Sequence, residues 1–361
     1  MGVRAQQHRD NPVAIGLLTG RETRRRVGLT SCVILMLAVA ALSAGVAGQK
    51  PKDNSAKIAD AATLPEKIWR DPGDMASLDL INGAGGKTHA PDPAGTFTFV
   101  KEDLAETSPK FWVTDEQGVS WKVKIGAEPQ SETAATRFLW AAGYFVDEDY
   151  YMAELTVKGL PKLQRGQEFV TVGGVVHGTR LERKLTTVKK LSDWDWFANP
   201  FVGTRELNGL RVMMSLLNNW DLKAVNNSIY AVDAERHYLV SDAGATFGNT
   251  GNPLTRSKSV PKDYADSKFI AKVTPDFIDF VLHSRPFFTG VVEPGNYGER
   301  TKMEEITKHI PRADAKWLGQ RLGLLTDAQI RDGFRAGGYA GGDLELLTKT
   351  IRQRIAALEA L

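Results

Sequence analysis

The apolar residues of this chain change their spacing once, and that change restricts the fold to one class. Between residues 96 and 185 they fall in short runs bounded by turn residues: TFTFVKED, KFWVTD, VSWKVKIG, YYMAELTV and EFVTVGGVVHGTRLE. Such runs read as β-strands, with DEQG as the hairpin turn between the second and third. One helix interrupts them, SETAATRFLWAAGY, which Ser131 is placed to cap and in which Ala134, Phe138, Leu139 and Ala142 share a face. After about residue 187 the pattern turns helical. TRELNGLRVMMSLLNNW sets Leu207, Leu210, Met214 and Leu217 on one stripe, and IYAVDAERHYLVSDAG reads as a hairpin turning at DAER. From 262 onward helices are expected again, with Thr326 and Gln329 at capping-box spacing and an amphipathic last helix over 343–361. The expected architecture is α+β: a β-rich N-lobe over 96–187 and a helical C-lobe over 188–361, with a cleft between them.

The charge of the chain is +3, unevenly spread. Residues 1–47 hold six Arg and two acids, so the basic balance belongs to that segment and the rest is near neutral. A nucleic-acid partner therefore has no compositional support. Arg21, Arg24, Arg25 and Arg26 precede an apolar run from about Val27 to Ala47 that closes on Gly45, Val46 and Ala47. This is the layout of a signal peptide or, uncleaved, of a signal anchor tethering the protein to a membrane. In either case the remainder is expected on the exported side: periplasmic, secreted or in a secretory lumen. Residues 48–95 read as a flexible lead-in with one short helix near Leu64–Trp69.

Cys32 is the single cysteine and lies inside the apolar run, so the remainder has no disulfide, thiolate metal site or cysteine nucleophile. The six histidines stand singly, without ligand spacing. The next residues to weigh are carboxylates, amides and lysines.

Those residues concentrate in LLNNWDLKAVNNSIY, where Asp221, Lys223 and Asn226 follow the pattern D-x-K-x-x-N. Beyond it a strand ends in Asp242-Ala243-Gly244; upstream stand Lys124 on a strand and Glu132 at a helix start. Taken singly each has an ordinary structural reading: a solvated strand lysine (Lys122 is two positions away), a first-turn acid favoured by the helix dipole, asparagines at a helix end, a strand-ending turn. In this order they form the set that phosphoryl transfer needs, because that reaction asks for charge neutralisation and positioning.

Here the chain resembles the protein-kinase-like superfamily over about residues 96–290. Within it the chain looks most like the atypical branch of type II phosphatidylinositol 4-kinases and related bacterial proteins. The resemblance implies an ATP-binding Lys124 held by Glu132, a phosphate-covering hairpin with Thr107 and Ser108 at its tip, a catalytic Asp221, and Asn226 and Asp242 holding Mg²⁺ (or Mn²⁺). Four departures stand out. Pro109 replaces the glycines of the covering loop, Asn219-Trp220 replaces the usual His-Arg, Asn227 offers a second register for the metal amide, and Lys223 is a protein-kinase feature that this lipid-kinase branch often lacks. The expected function is an exported ATP- and Mg-dependent phosphotransferase acting on an unidentified hydroxyl of a protein, lipid or small molecule. The alternative is a non-catalytic, pseudokinase-like module that binds a nucleotide or a partner. SDWDWFANPF (192–201) reads as a packed hinge or an aromatic platform, and NTGNPLTRSKSVPKDY (249–264) as a substrate loop or a solvated connector.

Overall fold

In a computed structural model, residues 61–250, 256–282 and 301–361 are described. They belong to one compact unit, residues 54–361. The apolar run 27–47 lies outside the described residues, and among those described no helix is long and apolar enough to cross a membrane.

Alternation in the β-rich region builds a closed ring. Strands β2 (Thr96–Asp103), β3 (Lys110–Thr114) and β4 (Ser120–Lys124) form an antiparallel meander, and β5 (Asp149–Lys158) pairs antiparallel with β7 (Val175–Arg183). β4 pairs with β7 and β5 runs parallel to β2, so the five strands close on themselves and leave no free edge between them. The short β6 (Val170–Thr171) adds to β7. Phe97, Phe111, Val123, Leu155, Val176 and Leu181 point inward and fill the ring. The expected turn at 115–118 forms around Asp115, whose carboxylate accepts from the Gln117 and Val119 amides and from Trp121 Nε1, while Gly118 takes φ 81°. Period two then sends Lys122, Lys124, Arg180 and Glu182 to the outside of the ring.

Helix α1 (Pro129–Ala141) lies against that outer face and is buried almost throughout. Its cap position is Glu128. Ser131, expected as the cap, lies inside the first turn, where its hydroxyl donates to Glu128 O and Gly244 O. Phe138 carries the packing onward to Phe247 and Phe334.

Helices named among the described residues of the helical part include α2 (Arg205–Leu216), capped by Thr204, then α3 (Pro261–Asp266), α4 (Arg312–Gly323), α5 (Asp327–Ala336) and α6 (Gly341–Glu359). The capping box of Thr326 and Gln329 is present. The region is less helical than expected: β11 (Ile270–Val273), β12 (Phe277–Phe280) and β13 (Ile310–Pro311) form a small antiparallel sheet. A second sheet joins β8 (Lys189–Ser192) to the hairpin of β9 (Asn227–Val232) and β10 (Glu235–Val240).

The helix expected near Leu64–Trp69 is not formed. Glu66–Lys67 is instead strand β1, parallel to β10, and Ile68, Met75 and Leu80 are buried in the core. Trp194 and Trp196 are buried too, with Trp194 Nε1 donating to Leu239 O, so these two rings of the aromatic cluster are packing, whereas Phe197 is exposed.

Candidate active site

Four asparagines build the loop that carries Asp221. Asn218 follows the end of α2 at φ 56°, a left-handed position that asparagine tolerates. Its side chain donates to Gly248 O and Ser267 Oγ at 2.7 Å each, and its Oδ1 accepts from Arg354 at 2.7 Å. Asn219 Oδ1 accepts from the Asp221 amide (3.2 Å), and Asn226 Nδ2 donates to Asp221 O (2.7 Å), closing the loop on itself. Asn227 is fully buried and donates to Trp194 O at 3.1 Å. Of the two candidates for a metal ligand, Asn226 lines the cavity and Asn227 does not; Asn227 Nδ2 is given to Trp194 O, while its buried Oδ1 has no hydrogen-bond partner.

The Asn226 carbonyl also receives the Ser241 and Asp242 amides (2.8 and 3.2 Å), which sets the end of β10 beside the loop. Asp242 Oδ1 caps the Gly244 amide at 3.1 Å. Gly244 is required for space: a Cβ there would lie 2.8 Å from Glu128 Oε2.

Across the cleft, β4 delivers Lys124, which is 3% exposed. Its Nζ lies 2.9 Å from Glu132, 3.0 Å from Glu128 and 3.3 Å from Asp242. One oxygen from each of these three carboxylates lies within 4.8 Å of the other two. Burial opposes the Lys124 charge, but Glu132 and Asp242 outweigh it and raise its pKa above the ordinary 10.5, so the group is an ammonium. Burial pushes the Glu132 carboxyl up to about 7 against the pull of Arg180 and Lys124. Arg180, buried behind Glu132 at 3.3 Å, also holds Asp149 (2.7 Å) and Glu182 (3.1 Å). Lys122 turns to Glu182 at 2.6 Å and takes no part in the Asp242 cluster.

Beside these groups lies a cavity of about 580 Å³, lined by Glu128 and Asp242 but not by Lys124 or Glu132. Thr107 and Ser108, in the turn between β2 and β3, form its roof; Asp221, Lys223, Asn226 and Asp242 line its floor. Lys223 Nζ is 3.3 Å from Asp221 Oδ1. The structure thus brings Thr107, Ser108, Asp221, Lys223, Asn226 and Asp242 to one cavity, with the Lys124–Glu132 pair at the Asp242 end. Asp242 and Asn226 have the donor chemistry of a hard divalent cation site, a carboxylate and an amide oxygen on one wall. With Asn226 Nδ2 committed to Asp221 O, its Oδ1 is the atom able to ligate.

Sequence reasoning missed three participants. Arg180 backs Glu132. Glu128 and Lys258 line the cavity and pair with each other. Glu128 stands four residues after Lys124, a spacing that carries no signal across a strand-to-helix turn. Lys258 lies in the segment expected to be a substrate loop or a connector.

No family model matches the chain, and no curated protein sequence matches it. Among solved structures it overlaps with a proinflammatory kinase of Helicobacter pylori, CtkA, at 13% identity and a TM-score of 0.40, over 73% of this chain and 94% of that one. It also overlaps with the Golgi casein kinase at 10% identity and a TM-score of 0.29, over 72% of this chain and 74% of that one. The same kinase with Mn/ADP bound gives 8% identity, a TM-score of 0.29, and coverage of 73% and 74%.

Proposed function

We propose that the protein is an ATP-dependent phosphotransferase of atypical kinase type that moves the γ-phosphoryl group to a hydroxyl acceptor. The observation that carries this reading is the convergence on one cavity of Asp221, Asn226 and Asp242, with a buried lysine, paired to the helix carboxylate Glu132, 3.3 Å from Asp242. In this reading the Lys124 ammonium, oriented by Glu132, faces the nucleotide phosphates. The acceptor oxygen attacks the γ-phosphorus, the bond from that phosphorus to the β–γ bridging oxygen breaks, ADP leaves, and the hydroxyl proton passes to the Asp221 carboxylate. Lys223, beside Asp221, offsets charge on the group in transit. Asn226 and Asp242 would hold Mg²⁺ (or Mn²⁺), which supplies charge neutralisation to the phosphates when bound.

The acceptor class is open between protein, lipid and small-molecule hydroxyls, with Lys223 favouring a protein or small molecule over a lipid. An exported location, with or without a membrane tether, is part of the proposal and rests on the Arg-flanked run 27–47. Titration of the full-length protein with ATP tests the site: binding that depends on Mg²⁺ or Mn²⁺ and disappears in Asp242→Ala is the expected result. Metal-dependent binding unchanged in that variant contradicts the assignment. A specific observation favours the non-catalytic reading as the second choice: the Glu128 carboxylate already engages cationic groups of the cavity. Binding without turnover identifies that case.

A further inference from the structure

The Glu128 carboxylate collects donors from three separate parts of the chain. Ser108 Oγ, from the roof, donates to Oε2 at 3.1 Å. Lys124 Nζ, from the end of β4, lies 3.0 Å from the same oxygen. Lys258 Nζ, from the segment between Asp242 and α3, donates to Oε1. Two ammoniums and a hydroxyl converging on two oxygens is how a protein holds a phosphate. The fit is built in, because the carboxylate lies against Gly244, where any Cβ would approach it to 2.8 Å.

We propose that Ser108, Lys124 and Lys258 form a phosphate cradle, that Glu128 is its resident stand-in, and that the phosphates of an incoming nucleotide displace it. The inference rests on the nucleotide reading above and deepens it: Lys258 becomes a phosphate-positioning residue and Glu128 the group that keeps the cradle closed. Burial pushes the Glu128 carboxyl up, yet Lys124 and Lys258 outweigh it and hold it down at about 2, so the stand-in is an anion throughout the physiological range. A phosphate group carries more charge and more acceptor oxygens than a carboxylate and can take the same three donors. The displacement lowers apparent affinity by the fraction of molecules in which the cradle is open.

The test is calorimetric titration of the full-length wild type, Glu128→Gln and Lys258→Ala with Mg-ATP, ADP, AMP and metal-free inorganic tripolyphosphate. Glu128→Gln is expected to bind the polyphosphate ligands about tenfold more tightly, the factor for a cradle open in a tenth of molecules, with AMP least affected. Lys258→Ala is expected to weaken the same ligands, and Lys258→Arg to restore them. A merely structural role for either residue would not separate polyphosphates from AMP. Wild-type ATP binding with no gain in Glu128→Gln overturns the cradle and leaves the nucleotide reading standing. Metal-dependent binding lost in Glu128→Gln overturns it too, by making Glu128 a metal ligand with Glu132 and Asp242. Tripolyphosphate binding that tightens in Glu128→Gln while no form binds ATP supports the cradle and defeats the nucleotide reading. Failure of every form to bind any polyphosphate defeats both.

Discussion

Asn226 and Asn227 are neighbours in sequence, and their losses should have opposite signatures. Asn227→Ala removes a fully buried amide and leaves Trp194 O without its donor, so chemical unfolding should register a loss of about 1–3 kcal/mol. Asn226→Ala breaks one half-buried contact with Asp221 O and should cost less than about 1 kcal/mol. Its effect should fall instead on phosphoryl transfer, by about 10²-fold or more, the scale of removing one contact to developing charge. Glu128 makes a prediction in pH. Its carboxyl is held below the ordinary 4.5, at about 2, so the ionised form is favoured by folding. The stability it contributes is complete above 4.5 and is lost as pH falls from there toward about 2. Unfolding midpoints measured across that window should decline less steeply in Glu128→Gln than in the wild type; equal slopes would contradict the assignment. At this scale the order of residue types along the chain anticipated which groups would meet, Asp221, Asn226 and Asp242 at one cavity and Lys124 with Glu132, while the roles given to them belong to the proposal. Arg180, Glu128 and Lys258 were not legible, because their roles exist only after β7, α1 and the segment beyond Asp242 meet.

The loop after α2 is held from the far end of the chain. Arg354, on α6, is 5% exposed and donates to Leu216 O (3.1 Å), Asn218 Oδ1 (2.7 Å), Tyr264 O (3.0 Å) and Ser267 Oγ (2.8 Å), with its guanidinium 4.0 Å over the Tyr264 ring. Arg354→Met should destabilise the fold by at least about 2 kcal/mol, since several buried acceptors lose a charged donor together. Arg354→Lys should recover little of this, because an ammonium lacks the planar fork. Thermal unfolding of both variants checks the point. Helices with full patterns, α2, α5 and α6, were readable from spacing and caps. Strand β1 was not, since two residues in a parallel pairing offer no alternation to read and are fixed by β10: Glu66 accepts from Tyr238 Oη (2.5 Å) and Arg236 (2.9 Å). The sheet of β11 to β13 was missed for the same reason, its strands being two to four residues long.

For the molecule, the decisive feature is that the proposed site is divided between the two kinds of structure the sequence announced. The closed ring and α1 contribute Ser108, Lys124, Glu128 and Glu132. The helical part contributes Asp221, Lys223, Asn226, Asp242 and Lys258. A ligand held by both halves stabilises the whole fold, so Mg-ATP at a hundred times its Kd should raise unfolding stability by about 2.7 kcal/mol, read as a shift in Tm. A shift of that kind without metal would contradict the roles given to Asn226 and Asp242. The division into a β-rich and a helical part was visible in the change of apolar period. The closure of the ring was not, because it depends on the parallel pairing of β2 with β5, which short alternating runs do not encode. The central claim is tested most directly by incubating the full-length protein and Asp221→Ala with γ-labelled ATP and Mg²⁺ or Mn²⁺ and following the label. Transfer to an acceptor or to water by the wild type, falling by at least about 10²-fold in the variant, is the result this account predicts. Label left on ATP by the wild type, or released equally by both proteins, would contradict it.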